Sequence, residues 1–131
     1  MNGKVLLDTN IVVALINGDP SVRSFAARTE DVFLPCIVIG ELFYGAFRSA
    51  RAKENVAHIE AFAAERSILA CDTNTARYFG EIKNQLRIKG RPIPDNDLWI
   101  AAIAVQHGLT LISRDDHFRE IERLSLESLT P

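Results

Sequence analysis

Short runs of apolar residues alternate along this chain with longer segments in which apolar residues recur at helical spacing. A short apolar run between turn residues is typical of a buried strand, and a longer periodic segment is typical of a helix. Strands that alternate with helices favour a parallel sheet covered by helices on both faces. We therefore predict the α/β class, although the pattern does not define the order of the strands.

Turn and cap residues mark where the elements begin and end. Gly90 and Gly108 end two of the helices. The predicted strands are 5–7, 32–35, 68–70, 109–112 and a short fifth at 124–126. The predicted helices are 11–16, 21–28, 37–50, 53–65, 73–89 and 97–107. The last helix is so apolar that protein must nearly surround it, and we expect one of Asp95, Asn96 and Asp97 to cap its start.

Length and composition fit one globular domain over 1–131. Hydrophobic residues make up 47% of the 131 and charged residues 24%, which excludes a disordered chain and a disulfide scaffold. The formal net charge of −2 gives no overall field to hold a polyanion, so a nucleic-acid contact must use a local patch. Cys36 and Cys71 stand alone in apolar surroundings, as expected of reduced core thiols, and no apolar run approaches the roughly 18 residues of a membrane span. We therefore expect a cytoplasmic protein with no membrane contact and no zinc site.

Four acidic residues, Asp8, Glu41, Asp97 and Asp115, lie where a predicted strand ends or a helix begins. Taken alone, Asp8 suits a helix cap, and Asp115 suits a turn in which Arg114 is its ion-pair partner. Glu41 is harder to explain, because no Lys or Arg stands three or four residues away on its helix. Ligands of parallel sheets bind beyond the carboxyl ends of the strands, so the four side chains can converge there.

Converging carboxylates need a positive partner. Two carboxylates about 4 Å apart repel by roughly 4 kcal/mol at an effective dielectric constant near 20. A divalent cation is the natural partner, and a site of oxygen ligands with few nitrogen or sulfur donors selects Mg²⁺ or Mn²⁺ over zinc. Such a site suits the hydrolysis of phosphodiester bonds.

Four short motifs carry a resemblance to a known family. They are Leu7-Asp8-Thr9-Asn10, Glu41-Leu42-Phe43-Tyr44-Gly45, Asn96-Asp97-Leu98-Trp99-Ile100-Ala101-Ala102, and Ser113-Arg114-Asp115 followed by His117-Phe118. In this order and spacing, the chain resembles the PIN-domain ribonucleases and, among them, the VapC-type toxins of bacterial toxin–antitoxin pairs. The resemblance covers essentially the whole chain.

This resemblance implies a fold, an activity and a set of partners. The implied fold is a single three-layer α/β/α sandwich with a central parallel sheet. The implied activity is that of a Mg²⁺-dependent or Mn²⁺-dependent endoribonuclease that acts as a toxin. The implied partners are an RNA substrate, a VapB-type antitoxin and a second copy of the chain in a homodimer.

The resemblance also implies the roles of individual residues. The metal-binding and catalytic acids would be Asp8, Glu41, Asp97 and Asp115. Thr9 and Asn10 would support the first acid, and the further supporting residues would be Asn96 and Ser113. His117 is near the site only by this resemblance.

Two of the four acids have a neighbour that competes for the same role. Asp116 stands beside Asp115, and Asp95 stands two residues before Asp97. We prefer Asp97 because it directly precedes the apolar run, and Asp115 because it fits the motif that ends in His117 and Phe118.

Other readings stay open for the basic residues and for the function. Arg87 and Arg91 are possible RNA contacts, although solvation of a helix end is their more ordinary role. The rival function is a PIN-like module whose acids bind only a structural ion or a partner protein. Serine hydrolases, P-loop nucleotide binders and dinucleotide-binding folds are set aside, because the chain lacks their glycine motifs.

Overall fold

The computed structural model describes residues 3–129, so the terminal residues of the predicted domain 1–131 lie outside the described part. The strands are β1 (Lys4–Leu7), β2 (Asp31–Pro35), β3 (Ser67–Leu69), β4 (Thr110–Ser113) and β5 (Leu126–Ser128). The helices are α1 (Thr9–Ile16), α2 (Pro20–Ala27), α3 (Cys36–Phe47), α4 (Ala52–Ala64), α5 (Thr73–Lys89) and α6 (Asp95–His107). A 3-10 turn, Asp116–Glu120, follows β4.

The five strands form one parallel sheet in the order β3-β2-β1-β4-β5. The chain therefore builds one half of the sheet outward from β1 and then returns to β4 on the other side of β1. Because crossovers between parallel strands are right-handed, this reversal places α1 to α4 on one face and α5 and α6 on the other. The predicted α/β/α sandwich is confirmed, and its topological switch point lies between β1 and β4.

The middle residues of the central strands are apolar because helices cover both faces of the sheet. Leu6 and Leu7 of β1 and Leu111 and Ile112 of β4 are fully buried. The prediction that protein nearly surrounds α6 is also confirmed, because Leu98 and every residue of 100–104 are buried. No helix among residues 3–129 is both long and apolar enough to cross a bilayer.

The start of α6 differs from the sequence-based expectation. The helix begins at Asp95, two residues earlier than expected, and Pro94 occupies the cap position in an extended conformation. No side chain in the described part of the chain caps this end, so the expectation that Asp95, Asn96 or Asp97 does so was wrong. The two carboxylates instead lie in the first turn, where the helix dipole favours negative charge.

The last strand also lies elsewhere than predicted. β5 is Leu126–Ser128 rather than 124–126, and Leu126 pairs with Leu111 of β4. Leu124 belongs instead to a turn, in which its backbone N–H donates to the carbonyl of Ile121. Apolar residues at 124, 126 and 129 offer more than one strand register, and only the pairing with β4 distinguishes them.

The two cysteines are neighbours, contrary to the expectation that each stands alone. β2 and β3 pair through Pro35 and Leu69, and this register brings Cys36 and Cys71 just beyond the two strands into side-chain contact. Burial raises the pKa of the Cys71 thiol to about 11, and the Cys36 thiol contributes to the rise. Both thiols are free and partly buried, and the raised pKa makes the thiolate fraction of Cys71 smaller than that of an ordinary thiol.

Candidate active site: an acidic pocket between β1 and β4

Four carboxyl groups from distant parts of the chain meet at the carboxyl edge of the sheet. Asp8 follows β1 and Asp115 follows β4, while Glu41 lies in α3 and Asp97 in the first turn of α6. Asp97 and Asp115 both raise the pKa of Asp8, and Asp115 and Glu41 raise that of Asp97. We call these four residues the acidic pocket, and it lies at the switch point of the sheet.

Asp8 is the buried centre of the acidic pocket. Its backbone N–H donates to the carbonyl of Ile112 at 3.0 Å, which extends the pairing of β1 with β4 and fixes its position. The side chain is 1% exposed, and its Oδ2 accepts a hydrogen bond from Ser113 Oγ at 2.7 Å. Its other oxygen, Oδ1, is buried and receives no hydrogen bond from residues 3–129. Although Asp8 occupies the cap position of α1, its side chain makes no capping hydrogen bond, so a structural cap does not explain this carboxylate.

Burial is the main cause that raises the pKa of Asp8. The hydrogen bond from the Ser113 hydroxyl and the nearby Thr9 backbone N–H lower the pKa, and the charges of Asp97 and Asp115 raise it again. The net result is a pKa above the usual value of 3.8. A positive charge placed beside Oδ1 would reverse this penalty, because it would stabilise the ionised form.

Neutral side chains hold Glu41 in place. Thr9 Oγ1 donates to Glu41 Oε1 at 2.9 Å, and Asn96 Nδ2 donates to Glu41 Oε2 at 3.2 Å. Both carboxylate oxygens thus receive a hydrogen bond, one from the start of α1 and one from the start of α6. These bonds join the two faces of the sheet across its carboxyl edge.

Asp115 is held in a similar way. Asn10 Nδ2 lies 3.4 Å from Asp115 Oδ2, and the backbone N–H of Asp115 donates to Ser113 Oγ at 3.0 Å. The Thr9 and Asn10 side chains contact the second and fourth acids, while Thr9 acts on the Asp8 carboxylate through its backbone N–H. Side chains at the start of α1 point across the pocket, and the Asp8 carboxylate faces Ser113.

Arg114 is not the partner of Asp115 that the sequence suggested. Its Nη2 lies 3.5 Å from Asp19 Oδ2, and its Nε donates to the carbonyl of Leu129 at 2.8 Å. Successive residues leaving a strand point in opposite directions, so neighbours in sequence need not meet. The guanidinium therefore ties two loops together outside the acidic pocket.

His117, which the resemblance places near the site without assigning it a role, contacts the acidic pocket. Its Nε2 is 3.0 Å from Asp97 Oδ2, but the two groups are not aligned for a hydrogen bond. The contact is therefore mainly electrostatic and requires a protonated ring. Burial is the largest influence on Asp97 and raises its pKa, His117 opposes this rise, and Asp115 and Glu41 add to it. In the sequence, His117 stands two residues after Asp115. The 3-10 turn then directs the His117 side chain back toward α6.

The competing acids lie outside the pocket. The side chain of Asp116 is 88% exposed and lies 3.6 Å from Arg119. Asp95 is also largely exposed, and its Oδ1 is 3.1 Å from Lys83 Nζ of α5. The structure thus brings Asp115 and Asp97 into the acidic pocket and leaves Asp116 and Asp95 on the surface.

The two predicted RNA contacts are on the surface, at the end of α5 and just after it. Arg87 lies in the last turn of α5, where its Nη2 donates to Asn84 Oδ1 at 3.2 Å. Arg91 follows the Gly90 cap of α5 and is exposed. Within residues 3–129, neither arginine makes a hydrogen bond or an ion pair to any of the four acids.

The donor set of the pocket fits a hard divalent cation. All four acids offer oxygen, and Asp8 Oδ1 is a buried acceptor without a donor, which a cation would satisfy. However, no three His, Cys, Asp or Glu side chains among residues 3–129 are arranged as a ready ligand group. The pocket therefore supplies hydrogen-bond acceptors and negative charge, but its side chains do not converge on one point as the ligands of a bound metal do.

The fold and the pocket together define a single-domain α/β/α protein with an acidic centre at its switch point. The family profile of the PIN domain matches residues 5–124. Ribonuclease VapC2 of Haemophilus influenzae is 37% identical over 123 residues, which cover 92% of each chain. The chain therefore belongs to the PIN-domain family, in its VapC branch.

Other relatives agree in sequence and in structure. The tRNA(fMet)-specific endonuclease VapC of Salmonella typhimurium is 33% identical over 123 residues and 92% of each chain. The fold matches that of DNA-bound VapBC from Salmonella typhimurium with a TM-score of 0.89 at 31% identity, covering 99% of this chain and 100% of that one. VapBC2 from Rickettsia felis, bound to a DNA fragment of its promoter, matches with a TM-score of 0.85 at 31% identity over 96% and 98% of the two chains.

Proposed function

We propose that this protein is a metal-dependent endoribonuclease and the toxin of a toxin–antitoxin pair. The observation that carries the proposal is the buried, donor-free Oδ1 of Asp8 at the centre of four acids. A fold alone would not need such a group, since an unpaired buried polar atom costs free energy. Membership of the VapC branch supports RNA as the substrate.

The chain's own residues prepare the pocket for a metal and for a phosphodiester. Asp8, Glu41, Asp97 and Asp115 would hold Mg²⁺ or Mn²⁺. When bound, the cation would supply positive charge that polarises the phosphodiester and the attacking water. Around the acids, Ser113 orients Asp8, Thr9 and Asn96 orient Glu41, and Asn10 orients Asp115.

The reaction is the hydrolysis of one RNA phosphodiester bond. An oxygen of water forms a bond to phosphorus, one ribose oxygen leaves with its electron pair, and that oxygen gains a proton. Hydrogen bonds to both oxygens of Glu41 reduce the motion of its carboxylate, and the same holds for Asp8 Oδ2. The pocket therefore contributes positioning in advance of substrate binding.

The proposed partners follow from the same relationship. The solved relatives include VapBC assemblies, and we infer that a VapB-type antitoxin restrains this chain and that the chain forms a homodimer. Its RNA substrates place its action in the cytoplasm. Purification together with the product of a short reading frame next to its gene would test the antitoxin.

The rival function is a catalytically inactive PIN-like module, and the lack of a closed ligand group among residues 3–129 favours it. Replacing Asp8 or Asp97 by Asn separates the two readings. We expect the wild-type protein to cleave RNA in Mg²⁺ or Mn²⁺ and not in EDTA, and each variant to lose cleavage while its circular dichroism spectrum stays unchanged. Full cleavage by both variants would contradict the proposal, and D116N is the control that should stay active.

A further inference from the structure

A cleft between α5, the loop that follows it and α6 has no role in the pocket described above. It has a volume of about 450 Å³, which is within the range of small-ligand sites. Its lining is Gly80, Lys83, Asn84, Leu86, Arg87, Pro92, Ile93 and Leu98. We call it the α5–α6 cleft, and we propose that it binds one unpaired nucleobase of the RNA whose backbone enters the acidic pocket. This inference rests on the proposed nuclease function.

The floor of the α5–α6 cleft suits a flat apolar ring. Leu86 and Leu98 form part of it and are 2% and 1% exposed, so the core holds them in place. Pro92 and Ile93 close one side from the loop. A base that leaves water for such a surface gains apolar contact, and a proline ring beside it restricts the movement of the wall.

The rim of the cleft suits the rest of a nucleotide. Lys83 and Arg87 place two positive charges one helical turn apart at the edge, and Asn84 adds an amide between them. Cations at the edge of an apolar cleft match a base attached to a phosphate backbone. An apolar peptide side chain would leave the Lys83 and Arg87 charges without a partner, whereas a nucleotide offers both a ring and a phosphate. The occupant we propose is therefore a nucleotide.

The cleft is close to the acidic pocket because α6 contributes to both. Leu98 in the cleft directly follows Asp97 in the pocket. Lys83 at the rim pairs with Asp95, and the neighbouring Asn96 donates to Glu41. A strand of RNA that places a phosphate against the acids therefore has a nearby nucleotide at the cleft.

Gly80 offers a way to fill the cleft without disturbing the core. A Cβ built on Gly80 meets no heavy atom within 4 Å, and its backbone φ is not positive. A leucine in its place suits helix α5 and projects into the cleft. Gly45 of α3 has the same open surroundings and lies outside the cleft, so Gly45→Leu is the matched control.

The test is RNA binding without cleavage. The probe is a fluorescein-labelled single-stranded RNA 12-mer of random sequence, and a second probe of the same length carries ribose and phosphate without bases. Binding of each to the full chain is measured by fluorescence anisotropy in EDTA. We expect the wild type to bind the RNA about tenfold more tightly than the abasic strand, since one stacked base contributes that order of affinity.

We expect Gly80→Leu to lose this tenfold preference and Gly45→Leu to keep it, with equal melting temperatures as the check on folding. The inference is overturned if Gly80→Leu keeps the preference, or if the wild type shows none. It is also overturned if Gly80→Leu changes only the sedimentation of the protein, which would assign the cleft to a second copy. Because binding is measured without metal, a wild type that binds bases but never cleaves RNA would refute the nuclease function and leave the cleft assignment standing.

Discussion

The buried carboxyl group of Asp8 links the chemistry of the pocket to the stability of the protein. Burial raises its pKa above 3.8, and Asp97 shifts in the same direction for the same main reason. The folded protein therefore binds these protons more tightly than the unfolded chain. The contribution of these two carboxyl groups to the free energy of unfolding therefore decreases as pH rises from about 3.8 through the raised pKa values.

We predict that the metal-free protein melts at a higher temperature in mildly acidic buffer than at pH 7. Below about pH 4 the trend should reverse, because hydrogen bonds from Ser21 and Thr75 lower the pKa values of Asp19 and Asp72, and protonation removes that stabilisation. Calorimetry in EDTA across this range measures the effect.

The variant Asp8→Asn provides the control for this pH dependence. It should melt at a higher temperature than the wild type at pH 7 in EDTA and should show a weaker response to acid. An unchanged pH profile in this variant would mean that burial of the ionised Asp8 carboxylate does not destabilise the metal-free protein.

Asp115 and Asp116 allow adjacent residues to be compared directly. Asp115 faces the pocket and Asp116 is in water. We predict that Asp115→Asn lowers the rate of RNA cleavage by more than the roughly 10–100-fold typical of outer-shell partners of a metal, and that Asp116→Asn leaves it near the wild-type rate. Initial rates at saturating Mg²⁺ decide this, and equal rates in the two variants would contradict the choice of Asp115.

At the scale of elements, the sequence predicts those helices and strands whose hydrophobic periodicity requires burial. The apolar run in α6 and the strand signals of β1 and β4 left little alternative, because only a covered parallel sheet can bury them. The sequence also allowed the acids to converge, since Asp8 and Asp115 follow strands of one parallel sheet, but only the structure shows that these two strands are neighbours. The contacts made by Thr9, Asn10 and His117 did not follow, because they depend on side-chain directions that only the packed helices fix.

Helix α5 begins with a reciprocal cap that should contribute measurable stability. The Asp72 side chain accepts from the Thr75 backbone N–H at 3.0 Å, Thr75 Oγ1 accepts from the Asp72 backbone N–H at 3.0 Å, and Gln106 of α6 donates to the same Asp72 carboxylate. We predict that Asp72→Ala lowers the free energy of unfolding by about 1 kcal/mol without lowering cleavage at 20–25 °C, roughly the value of a lost helix cap. Urea unfolding monitored by circular dichroism measures the loss. An unchanged midpoint would show that Gln106 and solvent replace the cap.

At the scale of the whole molecule, a net charge of −2 requires RNA binding to be local. We predict that Arg87→Glu combined with Arg91→Glu weakens RNA binding and makes its logarithmic salt dependence shallower by about 1.4, the value for two phosphates of a single strand. Anisotropy titrations at several salt concentrations measure the slope. The control pair is Arg28→Glu with Arg66→Glu, just after α2 and just after α4, which changes the net charge equally and should keep the wild-type slope. If the variant with Arg87→Glu and Arg91→Glu keeps the wild-type slope, these two arginines do not contact RNA phosphates.

The order of the strands has a consequence for how the protein is made. Asp8 and its partner Ser113 are 105 positions apart, and so are Asn10 and Asp115. A ribosome must therefore release β4 and the turn beyond it before the first acid meets its neighbours. A polypeptide still under synthesis therefore carries only part of the acidic pocket. The pocket is complete only when nearly all of the described fold has left the ribosome.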